Sequence, residues 1–259
     1  MVMLVIGRGW TGLKVGAELY RRGIAHQFCS HTEARELIGA YYARPHYCGV
    51  INCAGVVGRP TVDWCEDHKA ETIIGNAVFP VEIADLCQRH GLHLTHFSSG
   101  CIYQGGPWSE ADPPNFDGSV YSASKLASDQ ALKDLALVLR IRMPFDGTDS
   151  PKSLLTKLRK YGASAKLIDS VNSLSDLDEM VSIGVSLALD KTIGIYNMVN
   201  EGGISTREIV EMMGLRDVAW FTDEEFKAVT KAPRSICTLT SRIKTRPVRE
   251  ALAKAIRNG

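Results

Sequence analysis

The sequence predicts an α/β fold: a doubly wound parallel sheet followed by a smaller C-terminal lobe. Three observations predict it. Apolar runs of strand length alternate with stretches of helical period up to residue 145, the pattern of a parallel sheet covered on both faces. A glycine-rich turn, GRGWTG, separates the first apolar run from the first helical stretch. After Pro144 the alternation gives way to the turn-rich FDGTDSPKS.

Each element follows from its own residues. The strands are VMLVI (2–6), AHQFC (25–29), GVINC (49–53), HLTHFS (93–98) and LVLRIR (137–142), short and rich in β-branched or aromatic residues. Helices begin near Gly12, Thr32, Cys65, Asn76 and Ser119, where apolar residues recur at three- and four-residue spacing. Beyond Pro144, SLLTKLRKYG (153–162) has helical spacing, and a helix at 176–189 leads into a strand, GIYNMV (194–199). Further helices fall near 205–213, 222–230 and 247–257, with APRS (232–235) in a connecting stretch. Residues 1–145 read as a dinucleotide-binding domain and 146–259 mainly as a substrate-binding lobe. The 176–199 segment is expected to return to the sheet.

Bulk properties narrow the partners. Thirty basic and twenty-nine acidic residues among 259 give a net charge of +1, so nucleic acid and anionic membrane are not expected as partners. An anion would have to be held locally. Seven irregularly spaced cysteines read as free thiols in a reducing cytoplasm rather than a disulfide framework. The pairs Cys65/His68 and Cys29/His31 lack a second pair at finger spacing, so no metal is expected. The opening MVMLVIG is too short for a secretory core or a membrane span and reads as a buried strand.

GRGWTG supplies glycines at the three positions of a GxGxxG turn: Gly7, Gly9 and Gly12, with Arg8, Trp10 and Thr11 between them. Placed between a strand and a helix, such a turn brings backbone N–H groups and the helix dipole to a pyrophosphate, the Rossmann arrangement. The end of the second strand carries Ser30 and His31 where an NAD-preferring site would place a carboxylate. Arg8, His31 and Arg35 are the nearby groups able to meet a 2′-phosphate, so NADPH is expected ahead of NADH. The third strand ends in Asn52-Cys53-Ala54-Gly55, small residues suited to a flat cofactor lying on the backbone.

The fourth strand ends in SSGCIY. In an extended chain Ser99 and Cys101 would face one compartment about 7 Å apart. Twenty residues on, YSASK sets Tyr121 and Lys125 one helical turn apart on one face. There the lysine's charge is expected to lower the tyrosine pKa and assist proton donation to a carbonyl oxygen.

GxGxxG, NxAG, a strand-end serine and YxxxK stand in the order of the extended short-chain dehydrogenase/reductase superfamily, which the chain resembles. GVVGRPTVDWCEDHKAETI (55–73), SSGCIY (98–103), PNFDGSVYSASK (114–125), RMP (142–144) and APRS (232–235) look like the reductases that finish deoxysugar nucleotides. Within these, the bifunctional 3,5-epimerase/4-reductases that form UDP-rhamnose are more similar than dTDP-4-dehydrorhamnose reductases. The resemblance is densest from 50 to 145 and thinnest after 236, where TLTSRIK replaces a usual Leu-Asp pair.

The resemblance implies that Ser99 hydrogen-bonds a 4-keto oxygen, Tyr121 is the acid and Lys125 supports it. Asn76 would help order the site, and Pro144 would border the cofactor. Cys101 matches the cysteine that exchanges protons in GDP-fucose synthase, and Lys157 the lysine in the helix after RMP that is implicated as the partner acid in the UDP-rhamnose enzymes. Arg59 and Arg234 would hold a sugar nucleotide's diphosphate. A nucleotide-sugar substrate, a cytoplasmic setting and a possible homodimer are implied in the same way. Two alternatives stand beside epimerisation with reduction: a 4-reductase alone, or a non-catalytic dinucleotide-binding subunit resembling the β subunit of methionine adenosyltransferase.

Overall fold

A computed structural model describes residues 2–40, 47–162 and 166–259 of the chain. Its centre is a six-stranded, all-parallel sheet. The strands, from one edge to the other, are Gly194–Met198, Leu137–Ile141, Leu94–Ser99, Tyr47–Asn52, Val2–Ile6 and His26–Cys29. The chain therefore runs outward from Val2–Ile6 to one edge, then crosses back and winds toward the other. The carboxyl ends of Val2–Ile6 and Tyr47–Asn52 flank the reversal, the place where open α/β sheets bind ligands.

Alternation of side chains explains why both faces are covered. Leu4 and Ile6 point to one face and pack with Ile38, Ile83, Leu94 and Val138. Met3 and Val5 point to the other and pack with Val15, Leu19, Ile51, Leu139 and Val181. A strand buried on both faces needs an unbroken apolar run, which VMLVI supplies. Among the described residues, a third cluster, including Phe145, Leu155, Leu174, Ile209 and Leu252, forms the core of the lobe.

The 176–199 segment joins the sheet. Helix Leu177–Leu189 lies against helix Trp10–Arg21, with Arg22 donating to Ser182 and Ser186, and Lys14 to Asp178. Strand Gly194–Met198 then pairs in register with Leu137–Ile141.

Several ends shift by one or two residues from the sequence reading, and two helix starts bear on the site. The first helix begins at Trp10 rather than Gly12, so the third glycine lies within its first turn. No helix begins at Asn76. Helix Lys69–Ile73 passes through a π turn, Ile74–Val78, into Phe79–Arg89. The wide turn holds Asn76, whose amide Nδ2 donates to the Val56 carbonyl and whose Oδ1 accepts from the Val56 N–H, both at 2.8 Å.

Candidate active site

The site is assembled from the carboxyl ends of the parallel strands. Gly7 follows the first strand with φ +94°, a conformation natural only to glycine. A Cβ on Gly12 would stand 2.0 Å from the Gly7 carbonyl oxygen, so the turn closes on its own third glycine. Gly9 caps helix Trp10–Arg21 with no side-chain bond to its N–H groups, and the first turn carries no acidic residue. Open N–H groups at a helix start suit a pyrophosphate, and the cradle fits a dinucleotide. Lys152 reaches the same loop, its Nζ 3.5 Å from where a Cβ on Gly9 would lie. Trp10, expected at the cofactor, donates its indole N–H to Asp146 at 3.3 Å, and Lys14 pairs with the same carboxylate at 2.7 Å. Thr11 lies in the helix's first turn.

The groups expected at a 2′-phosphate separate into free and committed ones. Arg8 is exposed, with its guanidinium 5.6 Å from the Phe28 ring centroid, and His31 is exposed edge-on to Phe79. Ser30 is instead a helix cap. Its hydroxyl accepts from the Glu33 N–H at 3.2 Å and its own N–H donates to the Glu33 carboxylate at 2.7 Å, a closed capping box. Arg35 pairs with Glu82 and lies over Phe79, which neutralises it.

The third strand's end is a structural joint. Asn52, fully buried, accepts from the Ala54 N–H at 3.0 Å and its amide contacts the His96 ring at 3.2 Å. It positions Ala54 rather than presenting itself to a cofactor. A Cβ on Gly55 would lie 3.1 Å from the Lys125 ammonium and 3.2 Å from Asn76 Oδ1. Asn76 also donates to the Ser124 hydroxyl at 3.2 Å, tying the loop to the helix that carries Tyr121 and Lys125.

That helix, Val120–Leu132, is capped by Ser119, whose hydroxyl accepts from the Ser122 N–H. The cap fixes Tyr121 in the first turn, buried and with its hydroxyl next to Ser99. Burial raises the Tyr121 pKa first, nearby Cys101 adds to it and Ser99 opposes it. The expected lowering by Lys125 is thus not what governs the phenol: a desolvated tyrosine stays protonated, as a proton donor must. Lys125 is itself lowered to about 8 by burial, opposed by Asp129 and Cys101.

Beneath the site, Ser98 donates to Asp129, which accepts from Arg140 Nε at 2.6 Å, while Arg140 Nη1 donates to the Tyr103 hydroxyl at 2.9 Å. All four side chains are buried, and the network locks the Leu94–Ser99 strand to the Tyr121 helix.

Cys101 meets Ser99 by a different route from the one expected. The strand stops at Ser99, and the chain turns so that the Cys101 N–H donates to Ser99 Oγ at 3.1 Å. The thiol then faces Arg142, whose Nη1 donates to Sγ at 2.7 Å.

Lys157 lies exposed on helix Leu154–Gly162. Desolvation and the neighbouring Lys152 lower its pKa, and no contact among the described residues joins it to Cys101. Arg59 is exposed. Pro144 opens a short parallel pairing with Ser175. Arg234, expected at a diphosphate, has its terminal nitrogens bonded to Asp63 at 2.8 and 2.7 Å. Asp63 also accepts the Lys231 and Ala232 N–H groups, so APRS is a latch between the lobe and residue 63.

A family model for the RmlD substrate binding domain matches residues 8–234, which include the glycine turn from Arg8 onward and all of Ser99, Cys101, Tyr121 and Lys125. The chain belongs to the RmlD substrate-binding domain family. This RmlD-family chain is 38% identical over 253 residues to an Arabidopsis thaliana bifunctional dTDP-4-dehydrorhamnose 3,5-epimerase/dTDP-4-dehydrorhamnose reductase, covering 90% of the chain and 82% of that protein. It is 37% identical over 253 residues to the trifunctional UDP-glucose 4,6-dehydratase/UDP-4-keto-6-deoxy-D-glucose 3,5-epimerase/UDP-4-keto-L-rhamnose-reductase RHM1 of the same plant. There it covers 90% of the chain but spans only 37% of the relative. The RmlD-family fold also matches the crystal structure of the L780 UDP-rhamnose synthase from Acanthamoeba polyphaga mimivirus with a TM-score of 0.90 at 26% identity, over 100% of this chain and 99% of that one.

Proposed function

We propose that this RmlD-family chain is an NADPH-dependent nucleotide-sugar 3,5-epimerase/4-reductase that converts a UDP- or dTDP-4-keto-6-deoxyglucose to the corresponding rhamnose nucleotide. The observation that carries the reading is the set gathered at one strand end: Tyr121 next to Ser99, Lys125 one turn on, and the Cys101 N–H bonded to the same serine. The names of its relatives support it.

A bound nicotinamide dinucleotide would supply the hydride. The chain's own residues do the rest. Ser99 and Tyr121 hydroxyls hold the 4-keto oxygen, and Tyr121 gives it a proton as the alkoxide forms. Lys125 keeps positive charge beside the phenol and stabilises the phenolate left behind. The same ketone acidifies the C–H bonds at C3 and C5, so the hydroxyl pair that receives the alkoxide also holds an enolate. Cys101 stands beside that pair to take a carbon-bound proton.

One observation favours a 4-reductase alone: Lys157 and Cys101 are not in contact. The test is incubation with NADPH and UDP- or dTDP-4-keto-6-deoxyglucose, following absorbance at 340 nm and the product by NMR. Oxidation with a rhamnose product is expected. No oxidation and no new sugar overturns the reading, and a Cys101→Ala protein that still yields rhamnose from this substrate unchanged removes Cys101 from proton exchange.

A further inference from the structure

We propose that Arg142 is a positioning residue for proton exchange, its guanidinium holding Cys101 as the anionic base of the site. The inference rests on the epimerase reading above and deepens it.

Arg142 is 3% exposed, so its charge lies out of water. A guanidinium is not deprotonated in proteins, and burying it without a counter-charge is costly. Its described side-chain hydrogen bonds go to an amide, a carbonyl and a sulfur: Nη2 donates to Asn172 Oδ1 at 2.5 Å and to the Ser235 carbonyl at 2.6 Å, and Nη1 to Cys101 Sγ at 2.7 Å. Its Nε is buried without a hydrogen-bond partner among the described residues. No carboxylate is among these contacts.

The groups around this cation that can carry negative charge are Cys101, Cys237 and Tyr121. Tyr121 is kept protonated by burial. Cys237 is pushed the same way by burial, and its thiol donates to the Gly100 carbonyl at 3.5 Å. Cys101 remains. It is partly exposed toward the compartment, it touches the guanidinium, and the Lys125 ammonium acts on it from the Val120–Leu132 helix. The anion thus lies between two buried cations, from two different elements, next to the hydroxyls that would hold an enolate.

The exchange then balances simply. The thiolate takes the proton from the carbon next to the ketone, forming S–H, and the C–H electron pair moves into an enolate held by Ser99 and Tyr121. A water on the other side of that carbon gives it a proton as the enolate pair forms the new C–H bond. The hydroxide left behind is neutralised by the thiol's proton, and the pair with Arg142 re-forms.

The test is peptide-resolved alkylation of Cys101 by iodoacetamide, followed over about pH 5.5 to 9.5 in the wild-type protein and in Arg142→Met and Arg142→Lys. The wild-type alkylation midpoint is expected below the ordinary free-thiol midpoint of about 8.5. Arg142→Met is expected to move it upward and to slow alkylation near pH 7 by roughly tenfold. Arg142→Lys is expected to restore most of that rate. In heavy water, deuterium entry into the 4-keto sugar falls with the Met variant and returns with the Lys variant.

A wild-type midpoint at or above the free-thiol value overturns the proposal, and so does a Met variant that titrates like wild type. The wild-type titration decides the matter even if Arg142→Met does not fold. A protein inert toward 4-keto sugars but with a low Cys101 midpoint would sink the epimerase/reductase reading and leave the ion pair standing.

Discussion

Ser99 and Tyr121 bring their hydroxyls side by side although one ends a strand and the other opens a helix. One carbonyl oxygen can therefore meet both. Tyr121→Phe is expected to lower kcat for 4-keto-sugar reduction roughly 100- to 10,000-fold by removing the proton donor. Ser99→Ala is expected to cost roughly 100- to 1,000-fold, as for a lost oxyanion donor. Steady-state rates at 340 nm check both, and an effect confined to KM would contradict them.

Lys125 sets an alkaline limit. Burial holds its folded pKa at about 8, so the charge that supports Tyr121 is lost as pH rises through that value. The kcat/KM profile of the free enzyme is expected to fall on its alkaline side with a midpoint near pH 8, and Lys125→Met should lack that limb. The sign for stability is the opposite. Between about pH 8 and the ordinary lysine value of 10.5 the unfolded chain binds the proton more tightly, so this group's contribution to stability improves across that window. Lys125→Met should thus gain more in melting temperature at pH 7 than at pH 10.

Gly12 leaves no room for a side chain, because a Cβ would stand 2.0 Å from the Gly7 carbonyl oxygen. The obstacle is backbone rather than the end of a flexible side chain. Gly12→Ala is expected to abolish dinucleotide binding, read by quenching of intrinsic fluorescence on titration with NADPH. Gly23→Ala, with nothing near its Cβ but φ +71°, is expected to bind normally and lose only modest stability.

Asp63 anchors the lobe through Arg234 and two backbone N–H groups. Asp63→Ala is expected to destabilise the protein by about 1–3 kcal/mol. The Arg234 guanidinium is the largest cause holding the Asp63 carboxyl below its ordinary value of 3.8. Because the folded value is depressed, the stabilisation is fully present above the ordinary value and is lost as pH falls from there through the folded one. Chemical denaturation of the two proteins at neutral and acid pH checks this: the difference should shrink on the acid side.

The sheet was legible because its evidence is local. VMLVI reads as a doubly buried strand by itself, and GRGWTG names the turn that must follow. Tyr121 and Lys125 were legible because one helical turn fixes their spacing. Arg140 and Arg142 were not. They alternate along one strand pattern, LVLRIR, and look alike as polar interruptions. Their fates diverge through distant partners: Asp129 for Arg140, and Cys101, Asn172 and Ser235 for Arg142. Arg234 was misread for the same reason, since its partner Asp63 lies 171 residues away. The π turn at Asn76 leaves no periodic trace, because it widens a helix that continues on both sides.

The edge strand Gly194–Met198 has a consequence for how such chains can be recombined. It comes from beyond the first lobe segment, yet its neighbour in the sheet is Leu137–Ile141. A single crossover near residue 145 between two relatives would therefore join the lobe of one parent to a sheet whose last strand and covering helix also come from that parent. Exchanging substrate preference cleanly takes two further junctions, one on each side of the 176–199 return, three in all. Chimeras built with one junction should carry mismatched sheet edges and fail in folding before they reveal anything about specificity.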